Sequence, residues 1–155
     1  MSKEDVIKLA YIVGIAIGDG NLSNPNGRAV RLRVSCDTIY PLLIKKICAS
    51  IKVILPTNKV SLVKRKSRCV DISCYSNAWP RLLGWRAGNK QSQNVGVPYW
   101  IRRNRLYTIA CLRGLIETDG AIYNDRGYKS VFFTTNIPKL SAHVMSMFSY
   151  LGFKP

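Results

Sequence analysis

Two aspartates occupy matched places in this 155-residue chain. Asp19 lies in VGIAIGDGNLS, residues 13 to 23, and Asp119 in RGLIETDGAIY, residues 113 to 123, each between an apolar run and a glycine. Ala10 pairs with Ala110, Gly14 with Gly114, Gly18 with Thr118 and Gly20 with Gly120, so the repeat has a fixed offset of 100 residues. Small residues at i, i+4 and i+8 leave a flat groove on a helix, and two such helices can approach backbone to backbone. Glycine inside a helix costs ~1 kcal/mol against alanine, and close apposition is the packing reason that offsets it. Side-by-side packing then brings Asp19 and Asp119 together at two helix C-termini, where the macrodipoles already place partial negative charge. Two carboxylates so placed either share a proton or bind a hard divalent cation such as Mg²⁺. A metal held there can bridge a scissile phosphate and an attacking water, the metal-assisted route to phosphodiester hydrolysis.

The elements that must position this pair follow from the pattern. Val6, Leu9, Ala10, Val13 and Ile17 recur at helical spacing from Lys3 to Gly18, with Ser2 and Asp5 resembling a helix cap. RAVRLRVSC alternates, with Val30, Leu32 and Val34 on one face and Arg31 and Arg33 on the other, as in a half-buried strand. Asp37 or Thr38 is expected to cap the amphipathic helix IYPLLIKKICASIKVIL, which Pro56 and Asn58 close. KVSLV and RCVDISCYS flank KRKS as a hairpin with a basic tip, and a short apolar helix follows around AWPRLLGW. RAGNKQSQNVGVP reads as a polar, glycine-bearing linker, after which Pro98 opens one long helix, YWIRRNRLYTIACLRGLIET. A second hairpin turns at Asp125-Arg126-Gly127, and IPKLSAHVMSMFSYLG is a second amphipathic helix. The fold class is α+β, divided as a first half at 1–88, a linker at 89–98 and a second half at 99–155. Only 35 residues follow Gly120, so the second half is expected to lack its second hairpin.

Lys and Arg total 24 against 8 Asp and Glu, a formal charge of +16 with a pI near 10.0. Such a chain repels itself unless a polyanion is nearby, so nucleic acid is the leading partner; acidic residues would serve solubility better. No apolar run approaches the ~20 residues of a membrane helix, and the charge is spread over strands and loops rather than one amphipathic helix. The acidic N-terminus, with Glu4 and Asp5, is unlike a signal or transit peptide, which places the protein inside the cell. Five cysteines without a C-x-x-C pair indicate neither a disulfide framework nor a zinc ribbon, and the single histidine, His143, excludes histidine-rich metal sites and Ser-His or Cys-His catalysis. DGNLSNPNG starts like a calcium loop but has Asn24 in place of the glycine and Val30 in place of the closing glutamate. GIAIGDG lacks the Gly-Lys-Ser/Thr of a phosphate loop.

IVGIAIGDG at 12–20 and LRGLIETDG at 112–120 resemble the paired motifs of the LAGLIDADG homing endonucleases. The resemblance implies two αββαββα halves packed through the motif helices, antiparallel sheets forming a saddle on double-stranded DNA, and a monomer acting as a pseudo-dimer. It implies a site-specific, Mg²⁺-dependent double-strand cut, with two or three ions when DNA is bound, no membrane role and no small-molecule substrate. By motif position Asp19 and Asp119 are the catalytic metal ligands, with Gly18 and Thr118 as further metal positions. Ala10, Gly14, Gly18, Ala110, Gly114 and Thr118 form the helix interface, and Glu117 is the acid without a catalytic role. Lys90, between the short helix and Val97-Pro98, holds the place of a lysine that assists at the active site. An ammonium there could orient water or neutralise charge building on the phosphate.

The basic faces then gain a use. Arg28, Arg31 and Arg33 are expected on the groove-facing side of a strand, able to take guanine edges or phosphates, and the resemblance further places Arg33 near the metals. Lys59, Lys64, Arg65, Lys66 and Arg68 suit the DNA backbone, and Arg126, Tyr128 and Lys129 extend the set on the second hairpin. Trp79, Trp85, Tyr99 and Trp100 read as packing anchors. The alternatives are the same fold binding without cutting, as an RNA-splicing maturase or DNA-binding regulator, and a ribosome-associated RNA binder. Aspartate at both motif positions favours the enzyme, since a pure binder gains by neutralising one of them.

Overall fold

The computed structural model describes residues 1–155. Helix α1 (Lys3–Gly18) begins at a capping box in which the Asp5 N–H donates to Ser2 Oγ and the Ser2 N–H donates to Asp5 Oδ2. Strands β1 (Gly20–Ser23), β2 (Arg31–Asp37), β3 (Val60–Lys64) and β4 (Cys69–Tyr75), with helix α2 (Pro41–Ile54) between β2 and β3, complete the first layer. The four strands form one antiparallel sheet in the order β1-β2-β4-β3. Alternation puts Leu22, Leu32, Val34, Ile72 and Cys74 on the face covered by α1 and α2, all nearly inaccessible to solvent. The opposite face is uncovered by helices and carries Arg31, Arg33, Ser35, Ser73 and Tyr75.

After the short helix α3 (Trp79–Leu83) the chain runs through the segment read as a linker, which buries Val95 and Val97. The single long helix expected after Pro98 is two: α4 (Tyr99–Arg102) and α5 (Arg105–Asp119). The break is at Asn104, whose extended backbone and side-chain oxygen cap α5 by accepting from the Leu106 and Tyr107 N–H groups, while Thr108 Oγ1 donates 2.8 Å to the Ile101 carbonyl. Nor does Asp37 or Thr38 cap α2. Asp37 Oδ1 accepts from the Ile39 N–H in a local turn, and α2 starts at Pro41, which needs no donor at the first helical position.

Strands β5 (Gly120–Asp125) and β6 (Tyr128–Phe133) form a separate two-stranded hairpin, turned by Arg126 and Gly127 at φ of 49° and 87°, and helix α6 (Pro138–Tyr150) follows. One apolar core runs through both halves, from Leu9, Ile12 and Ile47 to Leu115, Leu140 and Val144. No helix is long and apolar enough to cross a membrane.

Candidate active site

The site is built from the packing of α1 on α5. A β-carbon placed on Gly14 would collide with the Cys111 carbonyl oxygen, and one on Gly114 would lie 2.5 Å from the Tyr11 carbonyl, so the two backbones touch where side chains would stand. Ala10 and Ala110 are buried along the same seam, and Gly18 lies against the Thr118 side chain. Gly20 and Gly120 end the helices where the strand doubles back, each leaving no room for a β-carbon beside Ala16 and Ile116.

This packing sets Asp19, the C-cap of α1, beside Asp119, the last residue of α5, with their carboxyl groups within hydrogen-bonding reach of each other and exposed on the solvent side. Crowding by neighbouring atoms and then the charge of Asp119 push the Asp19 carboxyl up from 3.8 to about 6. Asp119 is also raised by the same crowding, held back by Lys90 and by its hydrogen bond with Asp19, so the pair holds a proton more tightly than two separate carboxylates would.

Lys90 closes the end of α1. Its ammonium donates to the carbonyls of Ala16 at 3.2 Å, Ile17 at 2.7 Å and Gly18 at 3.0 Å, satisfying main-chain acceptors that the helix leaves open and countering its negative terminus. Burial lowers the Lys90 pKa, and Asp119 and Asp19 oppose that fall. Thr118 Oγ1 donates back into its own helix, to the Gly114 and Leu115 carbonyls at 3.0 Å. The Thr118 hydroxyl is thus engaged within its own helix, and the Gly18 carbonyl is engaged by Lys90.

Glu117, by contrast, points away from this pair. It accepts from the Tyr11 hydroxyl at 2.6 Å, from Arg113 at 2.8 Å and from Lys46 at 3.4 Å, tying α1, α2 and α5 together. Burial alone would raise its pKa, but these donors outweigh it and hold the carboxyl below the ordinary value.

A cleft of about 490 Å³ opens beside Asp119 and Lys90 and is lined also by Asn89, Gln91, Thr134, Thr135 and Asn136. Sequence reasoning passed over these polar side chains. The signal available was the TTN just after β6, three uncharged polar residues in an otherwise apolar stretch.

The basic residues divide by register. Arg33 stands between Asn21 and Ser73, and Arg31 between Ser23 and Tyr75, on the open sheet face. Arg28 precedes β2 in a bend and is exposed there rather than projecting from the strand. Lys64 pairs with Val70 and by alternation belongs to the face opposite Arg33. Arg65 is engaged with Asp71 at 2.7 Å, and Asp71 also accepts from Ser35. Lys59, Lys66, Arg68, Arg126 and Lys129 are exposed and form no ion pair. Of the aromatic anchors, Trp79 and Trp85 are buried and Trp100 meets Tyr107 edge-on, but Tyr99 is 64% exposed, with Arg102 and Arg103 over its ring.

No protein-family model and no curated protein sequence matches the chain. Solved structures do. Mesophilic variants of the homing endonuclease I-DmoI superpose with a TM-score of 0.72 at 19% identity, over 98% of this chain and 75% of that one. I-DmoI in complex with DNA and Ca gives the same values, and I-DmoI with DNA and Mn gives 0.70 over 97% and 80%. The chain has the LAGLIDADG homing-endonuclease fold. In that fold's terms α1 and α5 are the two motif helices, and the two antiparallel sheets flank the ends where Asp19 and Asp119 meet.

Proposed function

We propose that this protein is a site-specific DNA endonuclease that hydrolyses phosphodiesters with a divalent cation, Mg²⁺ in the cell, and makes a double-strand break in a long target. The observation that carries this reading is the meeting of Asp19 and Asp119 at the ends of two glycine-packed helices. The donor set fits such an ion: two carboxylates brought together and open to solvent are hard oxygen ligands of the kind a divalent cation such as Mg²⁺ takes. I-DmoI, solved with DNA and Ca or Mn, supports DNA as the substrate and a divalent ion as the cofactor.

When bound, the ion supplies Lewis-acid stabilisation of the phosphate and a more acidic water. The chain does the rest. Asp19 and Asp119, once free of their shared proton, would hold the ion. Lys90, fixed by three carbonyls, keeps a positive charge next to the reacting phosphate without being free to swing away. Arg31 and Arg33 face the major groove, while Lys59, Lys66 and Arg68, with Arg126 and Lys129 on the second hairpin, take backbone phosphates.

The test is a randomised duplex library incubated with the protein and Mg²⁺ or with EDTA, the cut ends then sequenced. Recovery of one long consensus in the Mg²⁺ arm alone supports the nuclease. Tight, salt-dependent binding with no cutting in either arm would replace it by a binding protein on the same fold.

A further inference from the structure

We propose that the cleft between α4, α6 and the segment 92–98 binds a phosphate group, a site separate from the aspartate pair and independent of whether the chain cuts DNA. The cleft measures about 710 Å³, and its walls include Arg86, Arg102, Lys139 and His143 without one acidic side chain. None of the three cations Arg86, Arg102 and Lys139 takes part in an ion pair. A concentration of like charge with no counter-ion is unfavourable unless an anion completes it.

The cleft is held in shape. Arg102 Nε donates 3.0 Å to the Val97 carbonyl and its guanidinium lies over Tyr99, so the remaining guanidinium donors are preset rather than sweeping through solvent. The Val97 N–H donates to His143 Nδ1 at 3.0 Å, which places the proton of the neutral ring on Nε2 as a further donor. Asn94, left-handed at φ 49°, turns its side-chain oxygen to the Lys139 N–H at 3.3 Å and pins the start of α6 to this segment.

A second, independent observation points to a ligand. Trp85, only 5% exposed, lines the same cleft, and its indole N–H is buried with no hydrogen-bond partner. Such a donor costs stability until an acceptor reaches it. The held Arg102 guanidinium and His143 ring, with the exposed Lys139 ammonium and the unpartnered Trp85 indole N–H, are donors of the kind phosphate oxygens accept from. The phosphate is either that of a DNA backbone running past the flank of the molecule or that of a free nucleotide.

The experiment follows the three indole N–H signals of the ¹⁵N-labelled full chain, with Trp85 assigned by its loss in Trp85→Phe. Inorganic phosphate is titrated at constant ionic strength. The Trp85 signal shifts saturably, and Lys139→Gln raises the midpoint roughly tenfold, the loss of one charge-assisted hydrogen bond. Lys154→Gln, a surface lysine outside the cleft, leaves it unchanged. An unmoved Trp85 signal, or equal weakening by the two lysine variants, overturns the site. A blunt DNA duplex that shifts the same signal identifies a backbone phosphate as the occupant. A duplex that binds yet leaves it fixed, while phosphate moves it, identifies a free one.

Discussion

The Lys90 ammonium lies 2.7 Å from the Ile17 carbonyl, so a residue 73 positions downstream closes the first motif helix. It also contacts the carbonyls on either side of Ile17 and lies close enough to both aspartates to temper their repulsion. One side chain thus serves the helix end and the carboxylate pair together.

Replacing it separates the two roles. Lys90→Met removes a charged donor from three carbonyls and should lower stability by about 2 kcal/mol in urea unfolding. Cleavage per folded molecule should fall roughly a hundredfold, the cost of losing one preorganised positive donor. Unchanged stability would contradict the capping role, and undiminished cleavage would contradict the catalytic one.

The backbone contact at the seam makes a second prediction. Gly114→Ala drives a methyl group into the Tyr11 carbonyl across a rigid interface and should cost about 3 kcal/mol. Gly127→Ala, at the open turn between β5 and β6 where nothing lies within 4 Å, should cost about 1 kcal/mol, the strain of a left-handed residue alone. Equal costs would mean that the motif helices are not in backbone contact.

The aspartate pair predicts an unusual pH dependence. An acid whose pKa is raised on folding holds its proton more tightly in the folded chain, so its stabilising contribution is complete below 3.8 and is lost as pH rises to about 6. Asp71 and Glu117, held below the ordinary carboxylate range, act in the opposite sense and only at lower pH. In EDTA the wild type should therefore lose stability between these two values, and Asp19→Asn should flatten the fall. Because protons compete with the metal, cleavage should decline below about pH 6. A wild-type profile identical to that of Asp19→Asn would remove the coupled pair.

Much of this architecture was legible in the residues. The hundred-residue repeat carried the helix pairing, because glycines at Gly14 and Gly114 have no local reason to sit inside helices. Strand alternation set Arg31 and Arg33 on the open face. What escaped depends on partners distant in sequence or on competition between local bonds. Asn104 interrupts an apparently continuous helix because its side chain outbids the next turn for two N–H groups. Arg65 looked as free as Lys66 until β4 brought Asp71 against it. Lys64 sits one position out of phase with the groove-facing side, a matter of register that the basic run KRKS obscures. The carbonyl set around Lys90 cannot be read from one dimension at all.

The central claim is that Asp19 and Asp119 jointly hold one catalytic metal site. The most direct measurement is the Mg²⁺-dependent cleavage rate of the selected target by Asp19→Asn and Asp119→Asn, each assayed beside its DNA affinity. Both variants should bind the target at least as tightly as wild type, since each removes a negative charge, and neither should cut it. A variant that cuts at the wild-type rate would show that the two carboxylates are not the metal site.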